Sequence, residues 1–259
     1  MHKIRVWKAL ARGVLLESLR RKDLWVVAIL GFLIICAAGA LGFFGINGLE
    51  AFAKDLGVTV LGLFSTIMAV LTSCRLLPDE IKQRTLYPLL SRPISRFDLL
   101  IGKWLGAVVV TWIAFIVLSL LTAGALASFH VHFEVIMLQY LLAKMMGLAV
   151  VCAVSLALGT WMTPQAAATI SFILAFGSTM IIRALLMAYD ASNPVMGWVF
   201  KGLNAVLPQY SLFDLGGRAA NTGWAPVPLW VMGFLFAYML VYCAGMLGLS
   251  LSKFRRQAV

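Results

Sequence analysis

The chain alternates between long apolar stretches and short charged ones. Residues 24–44, 56–74, 104–129, 136–162, 166–189 and 229–252 are free or nearly free of charge. Each is long enough, as a helix rising 1.5 Å per residue, to cross about 30 Å of hydrocarbon. The pattern predicts an all-α integral membrane protein with six transmembrane helices, and an even count puts both termini on one side. Lysine and arginine supply the orientation. Sixteen of them lie before the first stretch, between the second and third, and after the last, against Lys54, Lys201 and Arg218 in the opposite loops. That bias predicts cytoplasmic termini.

Between the spans the patterning changes. Ile4, Trp7, Leu10, Ala11, Val14 and Leu15 recur at helical spacing, with Lys3, Lys8, Arg12, Arg20 and Arg21 largely on other faces. Residues 1–23 therefore predict a basic amphipathic interfacial helix ahead of a six-span domain over 24–259. Within that domain, 78–103 forms a cytoplasmic loop with a short polar helix from about residue 79, ending near Pro88. Ser95-Arg96-Phe97-Asp98 has the form of an N-cap with a carboxylate three residues on, opening the helix that becomes the third span. Gly102 and Gly106 are spaced to admit another helix at that span's start. The external segment 190–228 is too long for a turn and too apolar for a solvated loop, so short re-entrant helices are expected before the last span. Asn193-Pro194 opens the first of them.

Composition agrees and narrows the classes. With 62% hydrophobic and 12% charged residues the chain has too little polar surface to cover a soluble globule. The net charge of +11 is spread between apolar runs rather than gathered on one solvated face, which argues against nucleic acid as a partner. Cys36, Cys74, Cys152 and Cys243 lie in or at the ends of apolar segments with no CxxC pair, and read as packing residues.

Candidate chemistry is sparse. The lone Gly-Lys pair, Gly102-Lys103, is followed by Trp104, so a phosphate-binding loop is missing and ATP hydrolysis is not expected of this chain. The carboxylates avoid the middle of the spans, which leaves an intramembrane enzyme as a distant third reading and no catalytic residues to name. Lys144 and Arg183 sit inside spans near the outer interface. They are either the cationic lining of a substrate path or ordinary basic side chains reaching for headgroups. His130, His132 and Glu134 alternate in a short outer loop, and Met232, Met239 and Met246 form one stripe on the last span. Metal transfer is the functional reading of these positions, while an incomplete ligand set favours a solvated loop and a packing seam. Gly39, Gly42, Gly45 and Gly48 recur every third residue and suit either a close helix contact or a fraying helix end.

The stretch from Pro78 to Lys103 resembles the cytoplasmic loop of ABC-2 type permeases, carried by Glu80, Thr85, Leu89, Leu90, Pro93, Ser95, Arg96 and Lys103. The amphipathic entry helix, six spans and paired short helices before the last span match the family in layout. The resemblance implies a permease subunit of an ABC exporter in the bacterial inner membrane, dimerising with itself or a related permease and carrying two ATPase subunits. ATP and Mg would then be bound by those partners, and this chain would hold no cofactor. It also implies that the loop supplies the ATPase-coupling helix, with Asp79, Glu80, Lys82, Arg84, Thr85, Tyr87, Arg92 and Arg96 as contact residues. Membrane lipid and possible periplasmic subunits complete the expected partners. The nitrous oxide reductase maturation and gliding-motility branches of the family share this layout. A subunit that transmits force to a periplasmic partner without transporting anything is the alternative from a different class.

Overall fold

In a computed structural model the described residues are 2–20, 25, 29, 31–32, 49–82, 95–128, 134–190, 194–220 and 225–256. They form α1 (His2–Arg20), α2 (Leu49–Lys82), α3 (Arg96–Ser128), α4 (Val135–Trp161), α5 (Pro164–Asp190), α6 (Pro194–Val206), a 3-10 turn at Tyr210–Phe213, α7 (Gly216–Ala220) and α8 (Leu229–Arg256). Five of these, α2, α3, α4, α5 and α8, are long and apolar enough to span a membrane. The expected first span, 24–44, falls mostly outside the described residues. Gly31 within it is helical and buried, and a Cβ there would meet Leu118 and Val60.

The centre is α4. Its sequence shows little sidedness, and residues from Gly147 to Thr160 are almost all buried, as expected of a helix that is apolar all round and enclosed by neighbours. Two-thirds of its apolar window is buried, 67%, against 11% for α5 and 28% for α8, so α5 and α8 are the helices that show most surface to lipid. α2 and α8 run parallel to α4 on either side, and α3 and α5 run antiparallel. Tyr140 meets Val58 at one end of the α2 contact and Gly159 meets Cys74 at the other. Indoles tie α3 on: Trp104 Nε1 donates to Ala149 O at 3.2 Å and Trp112 Nε1 to Met145 O at 2.9 Å.

Helix ends depart from the hydropathy boundaries, and one departure corrects an expectation. α2 runs through Pro78 to Lys82 without a break, so Asp79, Glu80 and Lys82 continue the span instead of opening a separate polar helix. Residues 83–94, including Arg84, Thr85, Tyr87 and Arg92, lie outside the described residues. A proline inside a helix removes the donor for the carbonyl four residues back, here that of Cys74. That carbonyl faces Gly159 of α4, where an added Cβ would lie only 2.7 Å from it. α4 and α5 are joined by Met162 and Thr163 alone, with Pro164 as the first residue of α5, the helix position that best tolerates proline.

The segment ahead of the last span is built much as its composition suggests. α6 begins at Pro194 as expected, while the second short helix is split into the 3-10 turn and α7. This segment folds back onto the bundle. Phe213 is buried against Gly147 and Tyr210 is also buried. Tyr242 donates to Val206 O at 2.8 Å, and the Gln209 N–H donates to the Tyr238 hydroxyl at 3.2 Å. Gln139 of α4 clamps the return to α8, donating through Nε2 to Val227 O and accepting from the Val227 N–H, both at 2.8 Å.

Candidate functional site

Two places in the bundle concentrate polar chemistry. The first is the end where α1, the start of α3 and the end of α8 meet. α1 presents Trp7, Leu10, Ala11 and Val14 on one face, while Lys8, Arg12 and Arg20 are exposed. Leu10 and Val14 enter the notch left by Gly102 and Gly106: a Cβ at Gly102 would lie 2.7 Å from Leu10 Cδ1, and one at Gly106 would lie 2.7 Å from Val14 Cβ. The glycine pair visible in the sequence thus has α1 as its partner. Leu16 and Leu19 remain exposed beside the basic residues, the arrangement suited to a membrane surface.

Hydrogen bonds lock this packing. Ser95 Oγ accepts from the Asp98 N–H at 3.1 Å and donates to Asp98 Oδ2 at 2.6 Å, and the other carboxylate oxygen accepts from Trp7 Nε1 at 2.9 Å. The Asp98 carboxylate thus links the capping hydroxyl of α3 to the indole of α1. Arg96 Nη1 donates to Phe254 O at 2.8 Å, and its guanidinium carbon lies 5.5 Å from the Phe254 ring centre. A cation at a helix C-terminus complements both the free carbonyls and the helix dipole. The first turn of α3 therefore holds α1 with one side chain and α8 with another.

The second place is a cavity of about 310 Å³ between α2, α4, α5 and the 210–217 turn, in the half of the bundle away from α1. Its charged lining residues are Asp55, Lys144 and Asp214, and Thr59, Thr66, Ser178, Thr179 and Ser211 add hydroxyls. Tyr140 also lines it, with its hydroxyl committed to Val58 O at 3.1 Å. Asp214 Oδ1 accepts from the Gly216 N–H at 3.1 Å, which shapes the turn into α7. A Cβ at Gly216 would lie 2.8 Å from Val58 Cγ1 and 2.9 Å from Asp214 Oδ1, so a larger residue would displace one of these side chains.

Lys144 points into this cavity rather than out to lipid: its Nζ is 3.3 Å from where a Cβ on Gly62 would sit. Arg183 is exposed on α5 and does not line the cavity, so the two cations proposed from sequence to share a path are not brought together. Glu134 is half-buried just ahead of α4, while His130 and His132 lie outside the described residues. Among the described residues no group of three His, Cys, Asp or Glu is placed to hold a metal. Met239 is buried, and Met232 and Met246 pack against the same core, as a seam would. The sequence shows Asp98 as part of a helix cap and Trp7 on the apolar face of α1, but not the bond between them; Asp55, Asp214 and Tyr140 as cavity residues were missed, since side chains at unrelated positions on three elements show no common spacing.

The layout of these spans around an amphipathic entry helix has a direct counterpart in sequence. The model of the ABC-2 family transporter protein matches residues 9–259. The chain belongs to that family. It is the membrane-embedded permease subunit of an ABC transporter, and the family implies an ABC ATPase partner and usually a dimeric arrangement. No curated protein matches the permease closely enough to refine this further.

Proposed function

We propose that this permease is half of an exporter in the bacterial inner membrane, with both termini in the cytoplasm and two ATPase subunits docked at the α1 end of the bundle. ATP and Mg belong to those subunits. The contact runs through 79–96, by Asp79, Glu80, Lys82, Arg84, Thr85, Tyr87, Arg92 and Arg96, and a second permease copy completes the transporter. The observation that carries this reading is the double anchorage of the first turn of α3. A displacement of the chain just before Ser95 is passed at once to α1 through Asp98 and Trp7 and to α8 through Arg96 and the Phe254 carbonyl. Hydrogen bonds to a charged partner contribute about 1.5–3 kcal/mol each, enough to move three helices as one body.

ATP-driven closure of the partners then biases the bundle between two arrangements. The test cuts the α1 tie, which lies outside the ATPase contact. In the purified transporter, Trp7→Phe keeps an aromatic ring and loses the donor. It should assemble with the ATPase yet lose much of the hydrolysis that cargo stimulates. Full stimulation in Trp7→Phe would refute the coupling route.

A further inference from the structure

The cavity beside Lys144 has no part in that coupling route, and its chemistry is specific enough to name an occupant class. Among the described residues the Lys144 ammonium has no hydrogen-bond or ion-pair partner, and neither has the Asp55 carboxylate. Lys144 feels the Asp214 carboxylate electrostatically without a direct contact to it. An ammonium enclosed in a bundle needs partners, from water or from a ligand, because leaving such a charge unsatisfied is costly. A volume of about 310 Å³ has room for either and falls within the size range of small-molecule sites.

Charge decides between guests. A simple anion would satisfy Lys144 and be repelled by two carboxylates. A simple cation would satisfy Asp55 and Asp214 and be repelled by Lys144. A guest carrying both signs a few ångströms apart meets all three favourably, and the Thr59, Ser178, Thr179 and Ser211 hydroxyls can donate to its anionic oxygens, that of Thr66 being given to Gly62 O at 2.6 Å. Hydrophobicity adds a second constraint. Leu63 and Phe176 line the cavity and are 41% and 50% exposed, and the exposed Ile173 and Met180 continue the apolar face of Phe176 along α5. A polar site opening beside lipid-facing side chains suits an amphiphile whose head enters and whose tail stays outside.

We propose that this cavity binds a zwitterionic headgroup that joins a primary ammonium to a phosphate, with the phosphate on Lys144 and the ammonium on Asp55 and Asp214. The inference concerns occupancy and holds whether the bound molecule is cargo or a resident lipid. The same chemistry is carried by a phosphatidylethanolamine and by free phosphoethanolamine. The test measures binding of a short-chain phosphatidylethanolamine to the delipidated full chain in detergent, beside phosphatidylglycerol, phosphatidylcholine and soluble phosphoethanolamine. Phosphatidylethanolamine should bind at least tenfold more tightly than phosphatidylglycerol, which lacks the ammonium, and than phosphatidylcholine, whose ammonium has no N–H to donate.

Lys144→Gln and Asp214→Asn should each weaken that binding about tenfold or more. The asparagine keeps an acceptor for the Gly216 N–H, so the turn should survive. Asp55→Asn, at an exposed position, gives a third variant with little folding risk, and Arg183→Gln should change nothing. Displacement by millimolar phosphoethanolamine would show that the headgroup alone suffices, and its failure alongside the same mutational losses would assign the site to the lipid. Equal or tighter binding of phosphatidylglycerol, or wild-type affinity in well-folded Lys144→Gln and Asp55→Asn, would overturn the proposal.

Discussion

Replacing Gly106 by alanine tests the docking of α1 with a single methyl group. The new Cβ would lie 2.7 Å from Val14 Cβ, 2.9 Å from Val14 Cγ2 and 3.1 Å from the Ala11 Cα. Carbon atoms pack at about 3.5–4.0 Å, and rotating Val14 cannot clear its own Cβ or the Ala11 backbone, so α1 must withdraw by about 1 Å. Overpacking of this kind costs about 1–3 kcal/mol, while alanine in place of a helical glycine returns about 0.8–1 kcal/mol. At Gly245 of α8 nothing lies within 4 Å of an added Cβ, and only the gain should appear. The two variants should therefore differ by about 1–3 kcal/mol. Denaturant unfolding in mixed micelles would measure this, and a double-mutant cycle with Val14→Ala isolates the contact. Removing the Val14 methyls takes away the 2.9 Å contact and leaves those to the Val14 Cβ and the Ala11 Cα, so Gly106→Ala should cost less in the Val14→Ala background but remain destabilising. Equal stability of the two glycine variants, or strict additivity in the cycle, would refute the notch.

Three further outcomes are expected. Gly159→Ala should be worse than Gly106→Ala, because its Cβ would meet the Cys74 carbonyl, a backbone atom made rigid by the helix around it, at 2.7 Å; the same unfolding assay ranks the two. Gln139→Leu should leave the Val227 N–H and C=O unsatisfied at about 1–3 kcal/mol each, and should show as faster proteolysis near 221–228 with the rest of the bundle intact. A single cysteine at position 92 should be labelled only from the cytoplasmic side of sealed membranes, and labelling from outside in intact cells would reverse the proposed orientation.

Hydropathy located every described span and placed both ends of α4 and α5 within two residues, but it cut short the helices that run on through charged turns. It expects the third span from 104 and the last to close at 252, whereas α3 starts at Arg96 and α8 ends at Arg256. The reason is physical: hydrocarbon selects only the apolar middle of a helix, and backbone bonding carries the helix on through charged turns. The cap at Ser95 corrected one such end because it follows from side-chain chemistry rather than hydropathy. Pro78 misled for the opposite reason. A proline disfavours helix locally, but an α2 already held against α4 tolerates one missing bond where Gly159 lets the orphaned carbonyl come close. Gly102 and Gly106 announced a close contact but not its partner, since one small-residue notch fits any ridge with spacing of four. The facing direction of Lys144 was illegible because α4 is apolar on all sides, and its companions come from residues 55 and 214 on other elements.

The two polar places sit at opposite halves of the bundle, and the packing between them is uneven. At the α1 end, α1, α3 and α8 are tied through one turn, and α3 and α8 are tied in turn to the buried α4 by Trp104, Trp112 and Cys243. α5 stands apart from this body. Only 11% of its apolar window is buried, and its link to α4 is two residues long with Pro164 fixing its start. A short, stiff link lets a helix swing but not slide. Ala175, Phe176, Ser178 and Thr179, the α5 wall of the cavity, lie 11–15 residues beyond that link, about 16–22 Å along the helix. Small tilts at Pro164 are therefore enlarged into changes of cavity width. A tilt of α5 against the α3–α4–α8 body is thus the change that would join the end where force is proposed to enter to the place where an amphiphile is proposed to bind.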